Sequence, residues 1–306
     1  MQNSKVSVPQ LGIWVVTATT GPVLFYANGN WYLLLPVALV LSAISWLSVC
    51  YGKHWDGSVY RFVQLVWIGI ILSQFLSYSA ACWPTGERTF PVVPLTLLAL
   101  AAISVSKGIR ATVDGICVVF WISLFLIGIV FVAGFQDVNF TNLVVTEGGT
   151  SANLMLVLLL PAAARFVFRD RCSFVPFAGI GVLAIVVSLW IAGTLGTAIA
   201  EQLSWPFYEA AKSAQLFNVA KRFESLVSVG VTLCNYCLYC LLLSACVGIA
   251  EKMLDRKFAL VLVVTLSACF LLLEISINST FLLLFSLLFW VVLPLLGTLN
   301  KKEKEL

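Results

Sequence analysis

Residues 205–246 read WPFYEAAKSAQLFNVAKRFESLVSVGVTLCNYCLYCLLLSAC. The stretch starts as an amphipathic surface segment, with Phe207, Tyr208, Leu216 and Phe217 forming its apolar side. It passes through a charged knot, Lys221-Arg222-Phe223-Glu224-Ser225, and becomes a long apolar helix. Ser225, Ser228, Thr232, Asn235 and Tyr239 recur at i, i+3, i+7, i+10 and i+14, which is one face of a helix. A lipid-facing helix has no use for a polar stripe. A helix lining a wet cavity uses one, and so does a helix packed on its neighbours through small hydroxyls.

Composition places the rest of the chain in the same environment. It is 61% hydrophobic and 10% charged, with a mean hydropathy of +1.02. Soluble domains carry roughly a quarter charged residues, so an integral membrane protein is expected, with the lipid bilayer as its first partner. The net charge of +4 is small and points to membrane topology, not to nucleic acid. The nine cysteines lie mostly in apolar segments, which argues against a disulfide framework. No small-residue cleavage site follows a short apolar run, so the first apolar segment reads as a retained membrane helix.

A membrane helix needs about 20 apolar residues. Ten segments qualify or come close, at about 10–28, 31–51, 60–83, 91–106, 111–134, 153–168, 174–195, 223–250, 257–275 and 279–299. With the N-terminus inside, only Arg88, Lys212, Lys221 and Arg222 of the eighteen Lys and Arg fall on outer connections. That bias supports ten spans with both termini cytoplasmic. The expected organisation is a single transmembrane domain over 1–300 and a short cytoplasmic tail, 301–306. Within it, repeat one covers about 10–134 and repeat two about 153–299.

Two segments stand apart. The first carries Thr19-Thr20-Gly21-Pro22, which predicts an interruption, because Pro22 lacks a backbone donor and Gly21 loosens the chain. The sixth is short, preceded by Gly148-Gly149 and broken by Pro161. Interrupted segments at matching places in two halves point to a five-plus-five inverted repeat with a central site. The fold class expected is therefore an all-α membrane bundle of about ten helices, with helices one and six broken. Two Pro-kinked helices without a ligand give the same signature. The third segment adds a face carrying Gln64, Trp67, Ile71, Gln74 and Tyr78.

These features define the candidate residues. Thr19, Thr20 and Gly21, with Gly148 and Gly149, would offer unpaired backbone groups to a substrate carboxylate. Gly148-Gly149 reads equally as plain loop. Gln74, Ser228, Thr232 and Asn235 complete the binding set from the third and eighth segments. Arg222, Glu224 and Ser225 form a coupling or structural group, since an acid at a helix start is also what capping favours. Asp114, four residues after Arg110, reads as a boundary ion pair. Cys234, Cys237 and Cys240 drift around their helix, which suits small-residue packing better than a metal. His54 is the only histidine, so multi-His metal sites and proton relays are excluded. No paired catalytic groups, Walker loop or Rossmann fingerprint are visible, and neither an enzyme nor a cofactor is expected.

The run Trp205-Pro206, followed by Arg222-Phe223-Glu224-Ser225, resembles the spore germination permease family. So do Gly86-Glu87-Arg88-Thr89 through Lys107-Gly108-Ile109-Arg110, and Leu158-Leu159-Leu160-Pro161 ahead of a basic connection. That family is the B subunit of bacterial germinant receptors, within the amino acid–polyamine–organocation superfamily. The similarity extends over most of the chain, with Arg222-Phe223-Glu224-Ser225 its most specific part. It departs between Glu147 and Pro161, where a Phe-x-Gly-x-Glu element is absent. The resemblance implies a permease fold, a multi-pass protein of the spore inner membrane, a small germinant such as an amino acid, and A and C subunits as partners. A proton- or sodium-coupled amino acid transporter is the second expectation, and a non-binding scaffold subunit the third.

Overall fold

The computed structural model describes residues 6–51, 58–82, 92–143, 151–167, 173–213, 223–250, 255–272 and 277–296. These are helical, with no strand among them. In chain order the helices are α1 (Val8–Tyr26), α2 (Trp31–Tyr51), α3 (Ser58–Ala81), α4 (Val92–Ser106) and α5 (Ile109–Gly134). Then follow α6 (Ala152–Leu159, continued as a 3₁₀ helix over Leu160–Phe166), α7 (Val175–Leu195), the short α8 (Thr197–Ala200) and α9 (Pro206–Ser213). The chain ends with α10 (Glu224–Ala250), α11 (Arg256–Leu272) and α12 (Ser279–Leu287, running into a π turn at Leu288–Val292).

Each of the ten expected apolar segments carries a helix among its described residues. Seven are long and apolar enough to cross a membrane. The helices Val92–Ser106, Ala152–Phe166 and Lys257–Cys269 are shorter. α5 shows why the environment must be lipid. Its Val118, Trp121, Ile122 and Phe125 are half to two-thirds exposed, an apolar face that water would penalise and a bilayer does not. Capping follows local sequence. Ser151 Oγ accepts from the Leu154 amide at 3.2 Å, and Asn278 Oδ1 from the Thr280 amide at 2.9 Å.

The first helix corrects the reading from sequence. α1 runs unbroken through Thr19-Thr20-Gly21-Pro22, with Pro22 inside it. A proline removes one ladder bond, while unwinding at this depth would strip several backbone groups of partners with no water to replace them. The Thr17, Thr19 and Thr20 hydroxyls also bond back to the carbonyls of Ile13 (2.7 Å), Val15 (2.9 Å) and Val16 (2.8 Å). The sixth helix does change character, switching from α to 3₁₀ at Leu160-Pro161. At a rise of about 2.0 Å per residue in its second part, residues 152–166 cover about 26 Å. That brings a segment too short as pure α-helix near the ~30 Å hydrocarbon thickness.

α10 is the centre of the bundle: it is the most buried of the long apolar helices, while α5 is largely exposed. Around it the helices pack as two sets. α1 and α2 lie on α7, and α2 also on the 3₁₀ segment; α3 lies on α11, and α10 on α3, α4 and α11. α10 joins the sets through close contact with α1. Gly21 permits that approach, since a Cβ there would fall 2.8 Å from Asn235 Oδ1 and 3.0 Å from Cys234 Cβ.

Candidate functional site

The polar stripe of α10 meets α3 in a closed hydrogen-bond network. Asn235, 1% exposed, donates from Nδ2 to Ser79 Oγ at 3.0 Å and accepts at Oδ1 from the Tyr78 hydroxyl. Ser79 donates to the Phe75 carbonyl at 2.9 Å and also meets the Tyr239 hydroxyl. Tyr239 reaches the Phe75 carbonyl at 3.1 Å. Two turns from Asn235 towards the start of α10, Ser228 Oγ donates to the Cys82 carbonyl at 3.0 Å, which satisfies a backbone acceptor at the end of α3. From α1, Trp14 Nε1 donates to the Cys237 carbonyl at 3.1 Å.

Gly21, Ser228 and Asn235 thus converge on this junction. Thr19, Thr20 and Thr232 line the same helices, but their hydroxyls bond to their own backbone, Thr232 to the Ser228 carbonyl at 2.7 Å. The unwound turn expected at Thr19, Thr20 and Gly21 does not form, because α1 stays helical there. Gln74 is half-buried on α3, one turn before Tyr78. Ser225 is exposed at the first turn of α10, where Glu224 begins the helix. Gly148, Gly149 and Arg222 lie outside the described residues. Asp114 accepts a hydrogen bond from Gln10 Nε2 at 3.4 Å, not the expected partnership with Arg110. Gln10 projects from the first turns of α1, and helix packing brings it within reach.

Ser79 carries the most bonds in the network and was missed from sequence. A serine in an apolar helix gives no signal, although it stands beside Tyr78 on the face that Gln74 and Tyr78 share.

An aromatic layer covers the network at the end where α1 finishes. Phe25 lies 4.7 Å from Tyr78 and 5.3 Å from Trp205, and Trp205 stacks on Tyr208 at 4.6 Å. Trp205 Nε1 donates to the Leu24 carbonyl at 3.2 Å, near the C-terminal end of α1. α9 buries Pro206, Phe207, Tyr208, Ala210 and Ala211 against the bundle. Its Glu209–Lys212 pair, 2.9 Å apart and about 40% exposed, contributes little.

The chemistry available here is neutral hydrogen bonding: one amide and three hydroxyls, in a place without bulk water. It offers donors and acceptors to a small polar solute but no base–nucleophile pair. Among the described residues no group of three His, Cys, Asp or Glu is placed to hold a metal ion.

The fold and this junction define a multi-pass helical membrane protein with a buried polar core. No known family model matches the chain, and no curated protein is similar to it.

Proposed function

We propose that this chain is a permease-like membrane subunit that recognises a small polar molecule such as an amino acid, as the B-type subunit of a germinant receptor. It acts in the spore inner membrane with larger A and lipoprotein C subunits, and both its termini are cytoplasmic. The observation that carries this reading is the amide–hydroxyl network of Tyr78, Ser79, Asn235 and Tyr239, buried mid-bundle beside Gly21-Pro22. Two further features support a five-plus-five permease arrangement: the helices pack as two sets around α10, and the sixth changes helix type at Pro161.

In this reading, parting α1 from α10 at Gly21 exposes the Asn235 amide, and a ligand trades its own groups for those of Tyr78 and Ser79. Only a ligand with unequal affinity for the closed and open arrangements shifts their balance. α9 and the Trp205–Tyr208 stack exclude water above the site.

The test is thermal stability of the purified protein against a panel of amino acids, nucleosides and sugars. A ligand at 100 times its Kd stabilises by about 2.7 kcal/mol. A shift that disappears in Asn235→Ala supports the reading, and gradient-dependent uptake in vesicles would then turn it towards a transporter. A folded protein that no compound shifts favours the scaffold reading instead. One observation already speaks for that second reading, because the network satisfies its own donors and acceptors.

A further inference from the structure

The end of the bundle opposite α9 holds a second polar cluster, built on the π turn of the last helix. In a π turn the amide bonds five residues back, as Leu293 does to the Leu288 carbonyl, and the widened turn leaves neighbouring carbonyls open to outside donors. Here four side chains supply them. Tyr60 Oη donates to the Phe289 carbonyl at 3.0 Å and Gln64 Nε2 to the same oxygen at 3.3 Å. Ser48 Oγ donates to the Trp290 carbonyl, and Arg165 Nη1 reaches that oxygen at 3.4 Å.

The donors come from both packing sets. Ser48 belongs to α2 and Arg165 to the 3₁₀ segment, in the set built on α7. Tyr60 and Gln64 belong to α3, in the set built on α11. Arg165 also hydrogen-bonds the Tyr60 hydroxyl and lies 4.7 Å over the Phe166 ring. It is 2% exposed, although its place in the sequence suggests a solvated connection. Close packing holds it in. A Cβ on Gly248 would fall 2.1 Å from the Phe166 carbonyl, so α10 lies directly against the 3₁₀ backbone. Gln64 is fully buried, and its Oε1 has no hydrogen-bond partner among the described residues.

We propose that this π turn is a conformational latch: Ser48 and Arg165 from one helix set, and Tyr60 and Gln64 from the other, close this end of the bundle by sharing the Phe289 and Trp290 carbonyls. The cluster holds together only while dry. Water admitted at this end hydrates the guanidinium and the Gln64 amide, and so stabilises the parted state. The device stands on this geometry alone and needs no ligand at the central network.

Hydrogen–deuterium exchange of the full chain in lipid nanodiscs tests it, because local opening sets the exchange rate. Arg165→Gln keeps a polar group but loses the charge-assisted bonds. Exchange in residues 58–64, 160–166 and 286–293 should rise by about tenfold, the equivalent of one such bond. Residues 205–213, at the far end, should stay unchanged. Tyr60→Phe, a milder change that deletes one hydroxyl, should accelerate the same three segments by a smaller factor. Arg165→Lys should restore protection only in part, since one ammonium cannot serve both the Tyr60 hydroxyl and the Trp290 carbonyl in the guanidinium geometry. Unchanged exchange in these segments, for both Arg165→Gln and Tyr60→Phe, overturns the latch. So does acceleration spread evenly along the chain, which marks a residue that merely supports the fold. Failure of Arg165→Gln to fold leaves the decision to Tyr60→Phe, read by the same segments.

Discussion

Replacing Asn235 with alanine removes a hydrogen bond to Ser79 and the acceptor of the Tyr78 hydroxyl, in a place with no water to substitute. Bonds between membrane helices average about 0.6 kcal/mol and reach about 1.7. A buried donor left without a partner costs about 1–3 kcal/mol more. Asn235→Ala is therefore expected to destabilise by about 2–4 kcal/mol. Tyr78→Phe removes the hydroxyl while keeping the ring on Phe25 and Phe75, at 4.7 and 5.7 Å. Alone it should cost about 1 kcal/mol. In the double variant the orphaned hydroxyl is gone, so its cost should fall short of the sum of the single variants by about 1 kcal/mol. Reversible unfolding in mixed micelles, run on all four proteins, measures that difference. Additivity within about 0.3 kcal/mol would mean that the two side chains do not share a bond.

Three other outcomes follow from the packing. Gly248→Ala drives a methyl to 2.1 Å from the Phe166 carbonyl, a backbone atom with little freedom to move. Its melting temperature should drop by more than that of Gly21→Ala, where overpacking against the Asn235 side chain costs about 1–3 kcal/mol. Gly115→Ala meets nothing within 4 Å among the described residues and should be neutral or stabilise α5 by up to about 1 kcal/mol in the same melt. Trp205→Phe keeps the stack on Tyr208 but leaves the Leu24 carbonyl without its indole donor; exchange at the end of α1 should quicken while the centre of α10 keeps its protection.

The polar stripe of α10 was legible because helical spacing is a property of sequence: Ser228, Asn235 and Tyr239 do share a face and do meet polar neighbours. What they meet was not legible. Whether Asn235 faces a cavity or the Ser79 hydroxyl depends on how closely α3 approaches α10, which is set by side chains on both. By sequence, Arg165 stands with Arg169 and Arg171 among the charges of an inner connection. Its burial follows from the 3₁₀ turn carrying it under α10. Nothing in the residues 288–292 announces a π turn, because one extra residue per turn leaves no trace in composition.

That this is a helical membrane protein, and where its apolar helices lie, follows from the residues alone. In hydrocarbon each backbone polar group must be satisfied within its own segment, so an apolar run of sufficient length has one outcome. Packing between distant segments settles that α1 crosses Pro22 unbroken, that the central polar groups satisfy one another, and that two helix sets share the carbonyls of a π turn. Those outcomes turn on distances between groups far apart in the chain, where a few tenths of an ångström separate a hydrogen bond from a gap.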